Sequence, residues 1–195
     1  MSHMLKPKLV TAPDPSVWDV ADLRARLKII DTGEDEVLEQ LQRQAFAHLD
    51  GSSGLLGRAI THQQWRVSTD GFDSTIRLPL GPFVSVDEIT YIDLDGASQA
   101  LPASYFFAAE DHRSPILQKA SGIRFPATAA RPDAVTVTWT AGMAPSGAEV
   151  DERIRGIIAF LVGRWRWHDD GLAEGRPREI PEGVHDMLAP LRTYL

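Results

Sequence analysis

Cysteine is absent from all 195 residues. That excludes disulfides, thiolate nucleophiles and Cys-ligated metals, and it fits a reducing compartment. Long apolar runs are absent too. No stretch approaches the roughly 20 residues that span a bilayer, so no membrane partner is expected. Lys6, Pro7 and Lys8 interrupt the N-terminal apolar residues, so no signal peptide is expected. Positive charge is in deficit: 20 Lys and Arg against 27 Asp and Glu give a net charge of −7. Proteins that grip nucleic-acid phosphates usually carry a basic stripe. An acidic chain is a poor general nucleic-acid binder, but it can surround DNA without holding it.

What is present is an ordinary globular composition, 43% hydrophobic and 24% charged, enough for a real core in one domain. Pro7, Pro13 and Pro15 mark residues 5–15 as an extended arm. Ser16 offers an N-cap, with Asp19 in capping-box spacing and Val20, Leu23 and Leu27 after it. This predicts a helix over about 17–28. Thr32 can cap a second helix, with acidic residues in its first turn and an inward stripe of Val37, Leu38, Leu41, Ala45, His48 and Leu49. Gly51-Ser52-Ser53-Gly54 ends it.

From about Ala59 the period becomes two. Gln63, Trp65, Val67 and Thr69 alternate with polar neighbours. Strands are expected at about 75–78, 84–94, 98–101, 105–108, 116–119 and 134–140. Asp95-Gly96 is a hairpin cue. Val150, Ile154, Ile157, Ile158, Leu161, Val162 and Trp165 then form one wide helical stripe, with Arg153, Arg155, Arg164 and Arg166 between them. Residues 168–181 read as a polar linker. Pro181 opens a short last helix with an apolar face of Val184, Met187, Leu188 and Leu191. The predicted class is α+β: an N-terminal helix pair (about 16–50), a central antiparallel sheet or small sandwich (about 59–140), a long Trp-containing helix (about 149–168), and a linker with a terminal segment (about 169–195). All are read as one domain, 1–195.

The chemical motifs are weak. His168-Asp169-Asp170 cannot converge on one ion from a regular helix, so no metal site is expected. Asp93-Leu94-Asp95-Gly96 lacks the later acidic ligand of an EF-hand. Gly51-Ser52-Ser53-Gly54 follows a helix and does not match a nucleophile elbow. No histidine stands in a recognisable catalytic arrangement. No catalytic residue and no cofactor is assigned, and the expected protein is not an enzyme. Trp165-Arg166-Trp167 interleaves aromatics and cations. At 100° per residue, Trp165 joins the core stripe while Trp167 lies about 200° away, free to meet a partner.

The order of these elements resembles the head–tail connector (adaptor) proteins of tailed phages and gene transfer agents, over roughly residues 5–192. The resemblance is carried by Leu27 to Asp31 with Glu34, Asp35 and Leu38, then Gly57-Arg58-Ala59-Ile60 with Gln63 and Trp65. It continues through Gly71-Phe72, Ile76-Arg77-Leu78-Pro79, Pro82, Ser85-Val86, Ile89, Tyr91 and Asp95-Gly96. Arg131-Pro132, Ala134-Val135, Val137, Ala141-Gly142, Ile154, Leu161 to Gly163, Trp165 and Leu188 to Arg192 complete it. Met143 and Leu191 depart from the family pattern, which commonly has an aromatic after the glycine and Tyr near the end.

The resemblance implies a structural virion protein. About twelve copies would form a homo-oligomeric ring beneath the portal protein, at the virion neck, after assembly in the host cytoplasm. The ring would extend the channel for passive passage of double-stranded DNA and offer a platform to the tail or a stopper (head-completion) protein. The portal-docking positions would be Val184, Met187, Leu188, Leu191, Arg192, Tyr194 and Leu195. Arg153, Arg155, Arg164, Arg166 and Trp167 are the expected inter-subunit residues. Two other readings remain: a hydrolase with a site on the sheet loops near His112 or Asp70, or a ligand-binding β module exposing Trp65, Tyr91 and Tyr105.

Overall fold

The computed structural model describes residues 6–110, 114–167 and 180–191. The fold is α+β, with two antiparallel sheets and four α-helices among the described residues. The chain divides into two compact units. One takes the residues up to Pro13 and then His62–Gly142; the other takes Asp14–Thr61 and the residues from Met143 onward.

The β unit holds β1 (Lys8–Thr11), β2 (Gln63–Thr69), β3 (Thr75–Arg77), β4 (Phe83–Ile92), β5 (Ser98–Ala100), β6 (Phe106–Glu110), β7 (Pro115–Lys119) and β8 (Val135–Ala141). Five strands form one sheet in the order β1-β2-β8-β4-β5; three form another, β3-β7-β6. The period-two reading of β2 holds because Gln63, Val67 and Thr69 are buried while Arg66 is exposed. Val67, Ile89, Val135, Val137 and Trp139 fill the buried face of the large sheet. Trp139 is fully buried and satisfies its indole N–H on the Leu80 carbonyl at 3.2 Å. Phe125 stacks between Phe72 and Phe106, at 4.5 and 5.3 Å.

The Asp93–Ala97 turn joins β4 to β5. Gly96 takes φ +84, and the Asp93 carboxylate accepts the amides of Asp95 and Ala97 and the Gln99 side chain. The Gln99 and amide hydrogen bonds hold the Asp93 carboxyl below the usual range. The arm expected at residues 5–15 contains β1, which lies on the sheet edge. Its prolines, Pro7 and Pro13, flank the strand rather than interrupt it.

The helical unit holds α1 (Val20–Leu27), α2 (Asp35–Leu49), α3 (Glu152–Trp167) and α4 (Glu182–Leu188). The first helix starts later than Ser16 predicts, because Asp19 is the N-cap, accepting the Ala21 amide at 2.8 Å. Val17 and Trp18 are withheld from the helix: Val17 is buried, and Trp18 packs partly buried against the same core. Asp31, not Thr32, makes the next cap, on a 3-10 turn (Thr32–Glu34) that runs into α2. The Asp50 carboxylate accepts the Ile60 amide at 2.7 Å, pinning the loop after α2. Asp151 caps α3 through the Arg153 amide. Leu23, Leu38, Leu41, Leu49, Ile154, Ile157, Ile158, Leu161 and Trp165 form this unit's core. α1 lies close against α3 at Gly163, where an added Cβ would crowd Leu27, whereas Gly156 has room for one. A Cβ on Gly156 would meet Arg26 at 3.7 Å, and one on Gly163 would meet Leu27 at 3.0 Å.

Candidate assembly surfaces

The arginines of α3 divide by what holds them. Arg155 is turned inward. Its guanidinium lies 3.9 Å from the Trp18 ring centroid, with Arg26 5.0 Å away from that ring. The Trp18 indole donates to the Arg155 carbonyl at 2.8 Å, and Arg155 Nε donates to the Val17 carbonyl at 3.1 Å. Gln42, buried on α2, closes the knot by accepting the Trp18 amide and donating to the Trp18 carbonyl. Arg155 therefore fixes the segment before α1.

Arg166 makes a forked pair with Glu34, at 2.5 and 2.7 Å. The Arg166 hydrogen bond holds the Glu34 carboxyl below its usual range, and the same contact raises Arg166. Arg153 makes a similar fork with Asp151; its side-chain and amide hydrogen bonds bring that carboxyl down to about 2. Arg153 stays on the surface, as does Arg164.

The sequence reading missed Phe160. It is 47% exposed, and Trp167 is 77% exposed, while Trp165, two residues earlier, is only 4% exposed. Arg153, Phe160, Arg164 and Trp167 follow at i, i+7, i+11 and i+14, all within about 60° on a helical wheel. The outer face of α3 is thus a stripe of two aromatics and two arginines. Aromatics and Arg are the side chains enriched where protein surfaces meet. The signal was present in sequence as the seven-residue interval from Phe160 to Trp167. It was hidden because Phe160 was assigned to neither face.

The terminal helix is divided likewise. Val184 and Leu188 are fully buried in the core of the helical unit, and Leu191 packs against it half-buried. Met187 is 49% exposed. These positions anchor α4 and leave Met187 outward. Arg192, Tyr194 and Leu195 lie outside the described residues.

The enzyme and β-module candidates do not assemble a site among the described residues. Asp70 borders a shallow depression with Ala130, Arg131 and Pro132. His112 lies outside the described residues. Trp65, Tyr91 and Tyr105 are each half-buried. Trp65 donates to Gln63, and Tyr91 packs on Phe72 at 5.6 Å, so they form no exposed aromatic row. Among the described residues no group of three or more His, Asp or Glu side chains is placed to hold a metal ion. No described helix is long and apolar enough to cross a membrane.

Chains of similar shape occur in gene transfer agent (GTA) particles. One, in the neck of an empty GTA particle computed with C6 symmetry, superposes with a TM-score of 0.73 at 21% identity, covering 98% of this chain and 97% of that one. The fold is that of a GTA particle chain. A second, in the virion of a native GTA particle, gives 0.73 at 20% identity, covering 98% and 97%. A third, in the neck of a native GTA particle computed with C12 symmetry, gives 0.69 at 18% identity, again covering 98% and 97%. At these identities the likeness establishes the fold. The sequence matches no protein-family model and no curated protein.

Proposed function

We propose that this chain is a head–tail connector (adaptor) subunit, a non-enzymatic virion protein acting as one connector domain. Copies form a ring beneath the portal that extends the DNA channel and joins capsid to tail. The observation that carries this reading is a likeness spanning 98% of the chain, to chains in particle necks computed with sixfold and twelvefold symmetry. A heterologous contact that repeats around a rotation axis closes a ring, and the twelvefold symmetry of one such neck supports a reading of about twelve copies.

The surface chemistry supports the same reading. The α3 stripe of Arg153, Phe160, Arg164 and Trp167 supplies an aromatic–cationic contact, and the acidic remainder of the molecule supplies complementary charge. Arg155 and Arg166 contribute indirectly, by holding Trp18 and Glu34 so that α3 keeps its outer face fixed. Met187 and residues 192–195 reach the portal, while Val184 and Leu188 act as the anchor. Net negative charge lets DNA pass without adhering. Assembly takes place in the host cytoplasm and the finished ring sits at the neck.

The test is a chain shortened to end at Leu191, which keeps the buried Val184 and Leu188 and removes residues 192–195. The expected result is filled or empty heads without tails, because the portal-reaching segment is gone. Particles that retain tails at the normal frequency would overturn the docking assignment.

A further inference from the structure

We infer that the large sheet carries a second contact between copies, in which a cationic cleft on the β1–β2 edge receives the acidic β4 edge of the neighbouring copy. This rests on the ring reading and adds a surface to it.

The cleft has a volume of about 300 Å³ and is lined by Lys6, Lys8, Arg66, Ser68, Asp133 and Thr136. Asp133 is already committed to Arg131. Among the described residues no carboxylate pairs with Lys6, Lys8 or Arg66. Lys8 and Arg66 are direct cross-strand partners, an arrangement of like charges that destabilises a sheet unless an anion sits beside it. Net charge is −7, so this local concentration of cations is against the composition of the chain.

The complement lies on the same row of the same sheet. Lys8 faces Arg66, Arg66 faces Thr138, and Thr138 faces Glu88. Read across the strands, the row runs cation, cation, hydroxyl, carboxylate. Glu88 is exposed and has no cationic partner among the described residues; Asp87 beside it accepts only from Gln64, Ser85 and Thr140. Both ends of the row are open edges. All four residues of β1 are exposed, and β5 covers only Thr90–Ile92 of β4, leaving Phe83–Glu88 with a neighbour on one side.

Geometry favours a head-to-tail match. Three successive antiparallel pairings place β1 and β4 in opposite directions. A neighbouring copy displaced along the ring then presents its β1 antiparallel to this β4, with Lys8 opposite Glu88. Bulges at Phe83/Ser85 and Val86/Glu88 break the backbone ladder of β4. They oppose main-chain strand addition, so the contact is one of side-chain charge. Such a contact sets partner and register more than affinity.

The test uses the absence of native cysteine. The full-length chain carrying Lys8→Cys and Glu88→Cys is oxidised mildly in assembled particles. Within one subunit these positions are three strand spacings apart, about 14 Å, beyond the roughly 7 Å limit for a disulfide. A ladder of covalent oligomers is expected on a non-reducing gel, absent from either single-cysteine chain. A companion set uses charge: Lys8→Glu loses ring assembly, and Lys8→Glu with Glu88→Lys regains it, with circular dichroism unchanged throughout. Rings imaged in the same particles without crosslinks would overturn the contact and leave the ring reading standing. Absence of any ring in particles of the unsubstituted chain would overturn both. Loss of duplex-DNA retention by Lys8→Glu, with rings intact, would assign the cleft to phosphate and overturn the proposal.

Discussion

Replacing Trp167 by alanine separates folding from assembly. Trp167 is 77% exposed, so its removal leaves little of the subunit's own packing unmade. Among the described residues its ring meets only the Arg166 guanidinium, at 5.9 Å from the ring centroid, the outer limit of a cation–π interaction. The expected change in folding stability is within about 0.5 kcal/mol. Trp165→Ala is the control on the same helix. That ring is 4% exposed and packs edge-on against His48 at 5.6 Å. Emptying its site costs about 3–5 kcal/mol, a large share of a domain's total of about 5–15. If the outer stripe of α3 joins copies, Trp167→Ala costs about 2 kcal/mol at each contact, roughly 30-fold in its equilibrium constant. Urea unfolding followed by fluorescence measures the first quantity; the fraction of particles with a complete neck measures the second. Trp167→Ala should unfold like the parent and assemble poorly, with Trp167→Phe intermediate. A Trp167→Ala chain that assembles normally would refute the role given to this stripe, and one that unfolds as early as Trp165→Ala would refute its placement.

Other outcomes follow from single contacts. Gly147→Ala would put a Cβ 2.1 Å from the Ser16 carbonyl oxygen, forcing backbone apart; a loss of about 1–3 kcal/mol is expected from urea midpoints. The Asp151 carboxyl should titrate near 2 by NMR, and Arg153→Ala should move it up toward 3.8. Because its folded-state value is depressed, its contribution to stability is complete above about pH 4 and drains as pH falls toward 2. Glu34→Gln should lower the melting temperature at low salt, and added salt should shrink that difference, since the Arg166 pair is partly solvated.

The period-two run around β2, the Asp95-Gly96 turn and the apolar stripe of α3 were legible because each is a local pattern with one burial solution. Cap positions were less so. Ser16 and Thr32 have suitable side chains, but burial of Val17 shifts the first start to Asp19, and Asp31 has the stronger acceptor for the second. Strand β1 was hidden between prolines, since an edge strand tolerates what a central one does not. The four arginines of α3 looked equivalent in sequence. Only the fold brings Trp18 to Arg155 and Glu34 to Arg166, across 137 and 132 residues, leaving Arg153 and Arg164 on the outer face. The charge row from Lys8 to Glu88 was likewise out of reach, because it depends on the register of four strands.

Imaging of particles carrying this chain with an N-terminal label tests the central claim most directly. The account predicts a single ring of about twelve labelled subunits at the neck, between portal and tail. Label found elsewhere on the particle, or a complete neck with no label, would contradict it.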